Sequence, residues 1–261
     1  MLVDHRIESL PFETLKVFSK IPVIARDFNL HLHLQRLRSI GHQALIHNNT
    51  GIQKENLRYI FDAPQPIEDK CNAFMSADLP KMMAGSKWDG LLTKQHHVPS
   101  EGEWQRFISQ SSLFAYFSMT SLVHKFPPSL VSDLSIFSKC KAMIIMDRMN
   151  ANKTLIDRNI LTSKHYVPNE QPTHQAALFS LCGVASIVTS NWAVKPEASL
   201  EAFQVLLRGS LAEGVYLGAA LRKYRANAQT EEASAEAAKS DKKLIYRANM
   251  VTYGVPIIRV V

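Results

Sequence analysis

The chain has 261 residues, 46% of them hydrophobic, a formal charge of +7 and three cysteines. No apolar run approaches the ~20 residues that span a bilayer, and the opening "LVDHRIESLPFETL" has neither the basic nor the apolar region of a secretory leader. Membrane insertion and secretion are therefore not expected, and 1–261 reads as a single domain, because a chain of this size buries roughly three quarters of its unfolded surface in one core.

In chain order, "LVDHRIESLPF" reads as a strand or hairpin entering a proline turn, and "PVIARDF", Pro22 to Phe28, as a short strand with proline at its first position. Asn29 suits an N-cap, and Leu30, Leu34, Leu37 and Leu45 then mark one apolar helix face, weakened late by Gly41. "LRYIFDAP" is a strand stopped by Pro64 and Pro66, "IEDKCNAFMSADL" a helix, and "KWDGLLTKQ" a short strand. Ser100 with Glu103 forms a capping box for "EGEWQRFISQ". "SLFAYFSM", Ser112 to Met119, and "AMIIMD" are buried strands, with "SDLSIFSK" a helical turn between them. Pro172 opens a helix that Gly183 ends, "ASIVTSNW" is a strand, and Pro196 opens a helix with Leu200, Phe203 and Leu207 on one face, stopped by Gly209. Val215 to Arg225 is helical, 226–243 is a charged, Ala-rich segment that is either a helical extension or a loose linker, and "MVTYGVPIIRVV" closes as a strand. Apolar strands alternating with helices imply βαβ units and a mainly parallel sheet covered on both faces.

The positive charge suits acidic surfaces, yet Arg36, Arg38, Lys139, Lys141, Arg222, Lys223 and Arg225 are scattered and no aromatic residues interleave them. Solvated faces explain them better than a nucleic-acid platform; a nucleic-acid binder is a third reading, resting on charge alone. Cys71, Cys140 and Cys182 lack framework spacing and read as free thiols in a reducing compartment. His31 and His33, two apart on a helix, cannot share a metal, and His96 and His97 sit in a loop without ligand spacing. No phosphate-cradling glycine loop and no serine nucleophile elbow is present, so neither metal nor cofactor is expected. A Cys–His dyad needs both groups at neighbouring strand ends. Cys140 precedes "AMIIM", roughly 20 Å from its carboxyl end, Cys182 lies before "ASIVTSNW", and only His124, five residues beyond "SLFAYFSM", sits at the correct rim.

The segments "IESLPFETL" (Leu10, Pro11, Phe12, Glu13), "IPVIARDFNLHLHLQRLR", "QAALFSLCGVASIVTSNWAV", "GAALRKYR" and "TYGVPIIRVV" (Tyr253, Gly254, Pro256) occur in the order of a known family. Through them the chain resembles a CHAT domain, a caspase-like module of the caspase and separase clan. The resemblance implies a three-layer α/β/α sandwich with a mainly parallel caspase-like sheet, N-terminally truncated because the usual preceding strand and helices are absent. In active members a His-Gly pair follows one strand and a cysteine the next. The matching positions are Met119 and Thr120, and Asp147, Arg148 and Met149, so both halves of the dyad look replaced. Asp147 and Arg148 are read as solvating the strand end; the alternative is a vacated groove that binds an extended peptide or packs on a partner.

A narrower resemblance, carried by "SLFAYF" and the loop "FPP", is to the cilia- and flagella-associated branch of this family. It implies a catalytically inactive structural or interaction module of the axonemal central apparatus, in the cytoplasm and cytoskeleton of the cilium. Its partners would be other axonemal proteins and the microtubule surface, with no nucleic acid and no membrane. The competing expectation is an active cysteine peptidase pairing His124 with Cys140 or Cys182.

Overall fold

A computed structural model describes residues 1–4, 7–8, 10–18, 20–40, 51–52, 56–64, 67–83, 88–92, 100–125, 140–147, 149, 172–231, 247–256 and 259–260. Helix α1 is Leu30–Ile40, followed by the two-residue strand β1, Gly51–Ile52, and by β2, Leu57–Phe61. Helix α2, Glu68–Ala73, runs through a π turn into α3, Leu79–Met82, and β3 is Trp88–Leu92. Then come α4 (Glu101–Gln110), β4 (Leu113–Phe117), α5 (Leu122–Lys125), β5 (Ala142–Met146), α6 (Pro172–Leu181), β6 (Ser186–Ser190), α7 (Pro196–Leu207), α8 (Leu217–Glu231), β7 (Met250–Gly254) and β8 (Arg259–Val260).

Six strands form one sheet in the order β3-β2-β4-β5-β6-β7. Every pairing is parallel except β6 with β7, which is antiparallel. Strands β4 to β7 are buried along their whole length, as expected of a sheet covered on both faces. The period of two sorts their side chains. Leu113, Ala115, Phe117, Ile144 and Met146 pack with α2, the π turn, α3, α7 and α8 through Cys71, Phe74, Leu79, Phe203 and Leu221. Phe114, Tyr116, Met143 and Ile145 pack on the other face with Trp104 and Phe107 of α4 and Phe179 of α6. This is the expected three-layer α/β/α sandwich.

Local chemistry explains most boundaries. The Ser100 hydroxyl accepts the Glu103 N–H, and the Glu103 carboxylate accepts the Ser100 N–H at 2.7 Å, the reciprocal cap read from the residues. Gly183, at φ 97°, ends the turn after α6 where a side chain would be strained.

Four expectations are corrected. Among the described residues the opening shows no hairpin: Phe12–Thr14 is a 3-10 turn, and Leu2 makes one bridge to Asp27. Pro22–Phe28 is no full strand. It is extended chain lying along the outer edge of β7, bonded there from Arg26 N–H to the Thr252 carbonyl and from Gly254 N–H to the Arg26 carbonyl, both 2.8 Å. The leucine face of α1 turns outward: Leu30 is 61% and Leu34 44% exposed, while Leu32 and Arg36 are buried. Gly209 does not stop its helix, which continues as a π turn to Ala212; a Cβ at Gly209 would lie 2.8 Å from the Ala220 methyl, so the glycine lets α8 close on the turn. Helix α8 extends the predicted 215–225 to Glu231. The rest of 226–243, "SDLSIFSK" and the "FPP" loop lie outside the described residues.

Candidate functional site

The carboxyl rim of a mainly parallel sheet is where an α/β fold presents chemistry. Here the rim is formed by the turns after β2, β4, β5 and β6. After β4, Met119 and Thr120 occupy the place the resemblance assigns to the base, and neither side chain can take a proton. Their turn is tightly bonded: Thr120 N–H donates to the Ser118 hydroxyl at 3.0 Å, Ser118 donates to Asp62 at 3.0 Å, and the Tyr116 hydroxyl donates to the Thr120 carbonyl at 2.8 Å. Burial raises the Tyr116 phenol well above its ordinary range. His124 follows on α5 and is exposed.

After β5 the expectation of a solvated end fails. Asp147 is 1% exposed. Its carboxylate accepts the Leu122 N–H at 2.9 Å and the Gln175 side-chain amide at 3.0 Å, tying the start of α5 to the first turns of α6. A buried carboxylate is tolerable only with such partners. Met149 is buried in the core and bridges Val194. Arg148 lies outside the described residues, as do His96 and His97. Beyond β6, Asn249 closes the rim: its side chain accepts the Trp192 N–H and donates to the Trp192 carbonyl at 2.7 Å.

The thiols lie elsewhere. Cys140 is at the amino end of β5, completely buried, and donates weakly to the Ala142 carbonyl at 3.5 Å. Burial pushes it up to about 12, against hydrogen bonds from Ser111 and the backbone and the charge of Lys141. Cys71 on α2 is pushed up to about 12 by burial and by Glu68. It packs in the core on the sheet face opposite to Leu122 of α5. Cys182, just past α6 at the amino end of β6, is raised by burial. A nucleophilic cysteine needs the opposite environment, electropositive and partly exposed.

Sequence reasoning missed an ionic knot on the N-terminal segment. Glu13, from the Leu-Pro-Phe-Glu turn, grips Arg26 through two bonds of 2.6 and 2.7 Å, with both side chains excluded from water. Arg26 also donates to the carbonyls of Leu10 (2.6 Å) and Glu8. Burial lowers the Arg26 guanidinium, but the bonds and charge of Glu13 and Tyr253 together outweigh it and leave it raised. Next to it, Asp27 holds Arg36 at 2.5 Å and His33 at 3.0 Å. The only local signal is the charged pair Arg26–Asp27 interrupting the apolar run "PVIA" and Phe28; the partners Glu13 and Arg36 carry no mark in the sequence. Among the described residues no three His, Cys, Asp or Glu side chains converge as a metal site requires, and none of the helices is long and apolar enough to cross a membrane.

No protein-family description matches the sequence, and no curated protein matches it. Two solved structures of the Saccharomyces cerevisiae separase–securin complex do match in fold. In the 3.0 Å structure the separase chain superposes with a TM-score of 0.62 at 16% identity, covering 95% of this chain. In the 2.6 Å structure the values are 0.62, 16% and 97%. The chain spans about 15% of the length of those separase chains. It has the caspase-like fold.

Proposed function

We propose that this caspase-like chain does not cleave peptide bonds and works as a structural or interaction module. The observation that carries the reading is the placement of sulfur. The chain's three cysteines are buried or half-buried with thiols raised above their ordinary range, while the rim position after β5 carries a buried carboxylate engaged with α5 and α6. Met119 and Thr120 supply no base beside it. Nucleophilic catalysis requires a thiolate within hydrogen-bond reach of its base. The narrower resemblance, to the C-terminal region of cilia- and flagella-associated protein 46, makes the axonemal central apparatus the proposed setting, with axonemal neighbours and acidic tubulin tails as partners for a chain of charge +7.

Two measurements test this. Alkylation of the folded chain by iodoacetamide is expected to be slow at all three thiols, with no cleavage of a peptide library. Rapid selective labelling of one cysteine together with cleavage would establish the peptidase instead. Crosslinking in isolated axonemes is expected to join the chain to central-apparatus neighbours; recovery in the soluble cytosol without such neighbours would remove the ciliary assignment.

A further inference from the structure

Eleven large apolar side chains are prominently exposed among the described residues, and nine of them fall within residues 1–34. Solvent-facing apolar residues scattered singly need no explanation, but a contiguous set marks an interaction site. Here Leu30 and Leu34 stand one turn apart on the outer face of α1, and Leu15, Val17 and Ile21 are exposed on the preceding turns. Next to Ile21 and His33 of these two stretches opens a cavity of about 360 Å³, lined also by Phe18, Val23, Ile24 and Pro256 and walled by the paired Arg26 and Asp27. Among the described residues of this segment the exposed charge has one sign. From residue 14 to residue 38 the exposed charged side chains are Lys16, Lys20 and Arg38, because the acids nearby, Glu13 and Asp27, are buried against Arg26 and Arg36. Asp4 and Glu8 line a separate cavity at α6.

We infer that this face docks an acidic amphipathic helix of a partner protein. Its apolar residues at helical spacing would lie along Leu30 and Leu34 and enter the cavity, and its carboxylates would meet Lys16, Lys20 and Arg38, the helix-in-groove mode of recognition. Charge and shape choose this occupant. A second copy related by twofold symmetry would oppose like charges across the interface. A bilayer surface is flat and would leave the cavity unfilled. The inference rests on the exposed face alone and holds whatever the chemistry of the rim.

The test displays a library of random helical peptides against the whole chain, in parallel with Leu30→Glu/Leu34→Glu and Lys16→Glu/Lys20→Glu variants. All these positions are exposed, so circular dichroism and the urea midpoint are expected to match the parent. Enriched peptides are expected to be acidic with apolar residues at i, i+3 or i+4 and i+7, to bind the leucine variant at least about tenfold more weakly, and to weaken with salt. No enrichment, enrichment of non-acidic sequences, or equal binding to the leucine variant overturns the inference. So does leucine-dependent binding to phosphatidylcholine–phosphatidylserine vesicles without peptide binding. Self-association in sedimentation that Leu34→Glu abolishes would assign the face to a second copy and overturn it as well.

Discussion

Replacing Glu13 by Gln removes the charge of the buried knot while keeping its shape. Its partner Arg26 is 1% exposed on its side chain and cannot move to water without lifting the N-terminal segment off β7. Arg225 adds to the strain: it donates to the Met250 carbonyl, and burial pushes it down to about 10, with Glu13 favouring and Arg26 opposing its charge. Glu13→Gln therefore leaves the buried Arg26 guanidinium facing a neutral amide and removes the charge that favours Arg225. Removing one partner of a buried ion pair costs about 3–5 kcal/mol, and the amide still accepts one bond, so about 3 kcal/mol is expected. That is a large fraction of the roughly 5–15 kcal/mol that holds a domain folded. In a urea titration followed by circular dichroism the midpoint should fall by about 1 M for a slope near 3 kcal/mol per M. Glu13→Gln/Arg26→Gln should cost less than the sum of the single changes. A Glu13→Gln protein within about 0.5 kcal/mol of the parent, the size of an ordinary surface change, would refute the reasoning.

Asp147→Ala orphans the Leu122 N–H and the Gln175 amide, at about 1–3 kcal/mol; calorimetry should show a fall of about 2–4 °C per kcal/mol, and an unchanged melting temperature would contradict the assigned role. Stability should fall with alkaline pH. Cys140 is raised from 9.0 to about 12, so above pH 9 the unfolded thiol loses its proton while the folded one keeps it, and this thiol's share of the fall is about 1.4 kcal/mol per pH unit until about pH 12, with Cys71 adding to it. Urea midpoints across that range should show a shallower slope in Cys140→Ala. Gly254→Ala places a Cβ 2.2 Å from the Ala185 carbonyl oxygen at a φ of 89°, so a loss beyond the roughly 1–3 kcal/mol of backbone strain alone is expected. The control Gly102→Ala meets nothing within 4 Å on α4 and should be neutral or stabilising by up to about 1 kcal/mol, as read from thermal melts.

Strands β4, β5 and β6 were legible in the residues because a fully buried parallel strand is a short apolar run bounded by polar or turn residues. The Ser100–Glu103 cap was legible because it is local. What was not legible depends on partners distant in the chain. The spacing of Leu30, Leu34 and Leu37 established a helix but not which face is buried; that was decided by Arg36, which needs Asp27. "PVIARDF" has strand composition, yet among the described residues it meets β7 on one side only around Arg26 and on the other side only Met1 and Leu2, too few bonds to make a full strand. Asp147 looked like a solvated strand end because its acceptor role needs Leu122 and Gln175, each at least 25 residues away. The positions of Met119, Thr120 and Asp147 at the rim followed from strand order, whereas the bonds that close the rim did not.

Because Arg26 is fastened to Thr252 and Gly254, its attachment point does not exist until more than 220 further residues have been translated. At about 5–20 residues per second that is roughly 10–45 s on the ribosome. Throughout that interval Glu13 and Arg26 can already meet, but the segment and its leucines have no β7 edge to dock on. The edge strand β7, made late, is thus the one that anchors the segment around Arg26, and a nascent chain stalled before it would present greasy surface to chaperones.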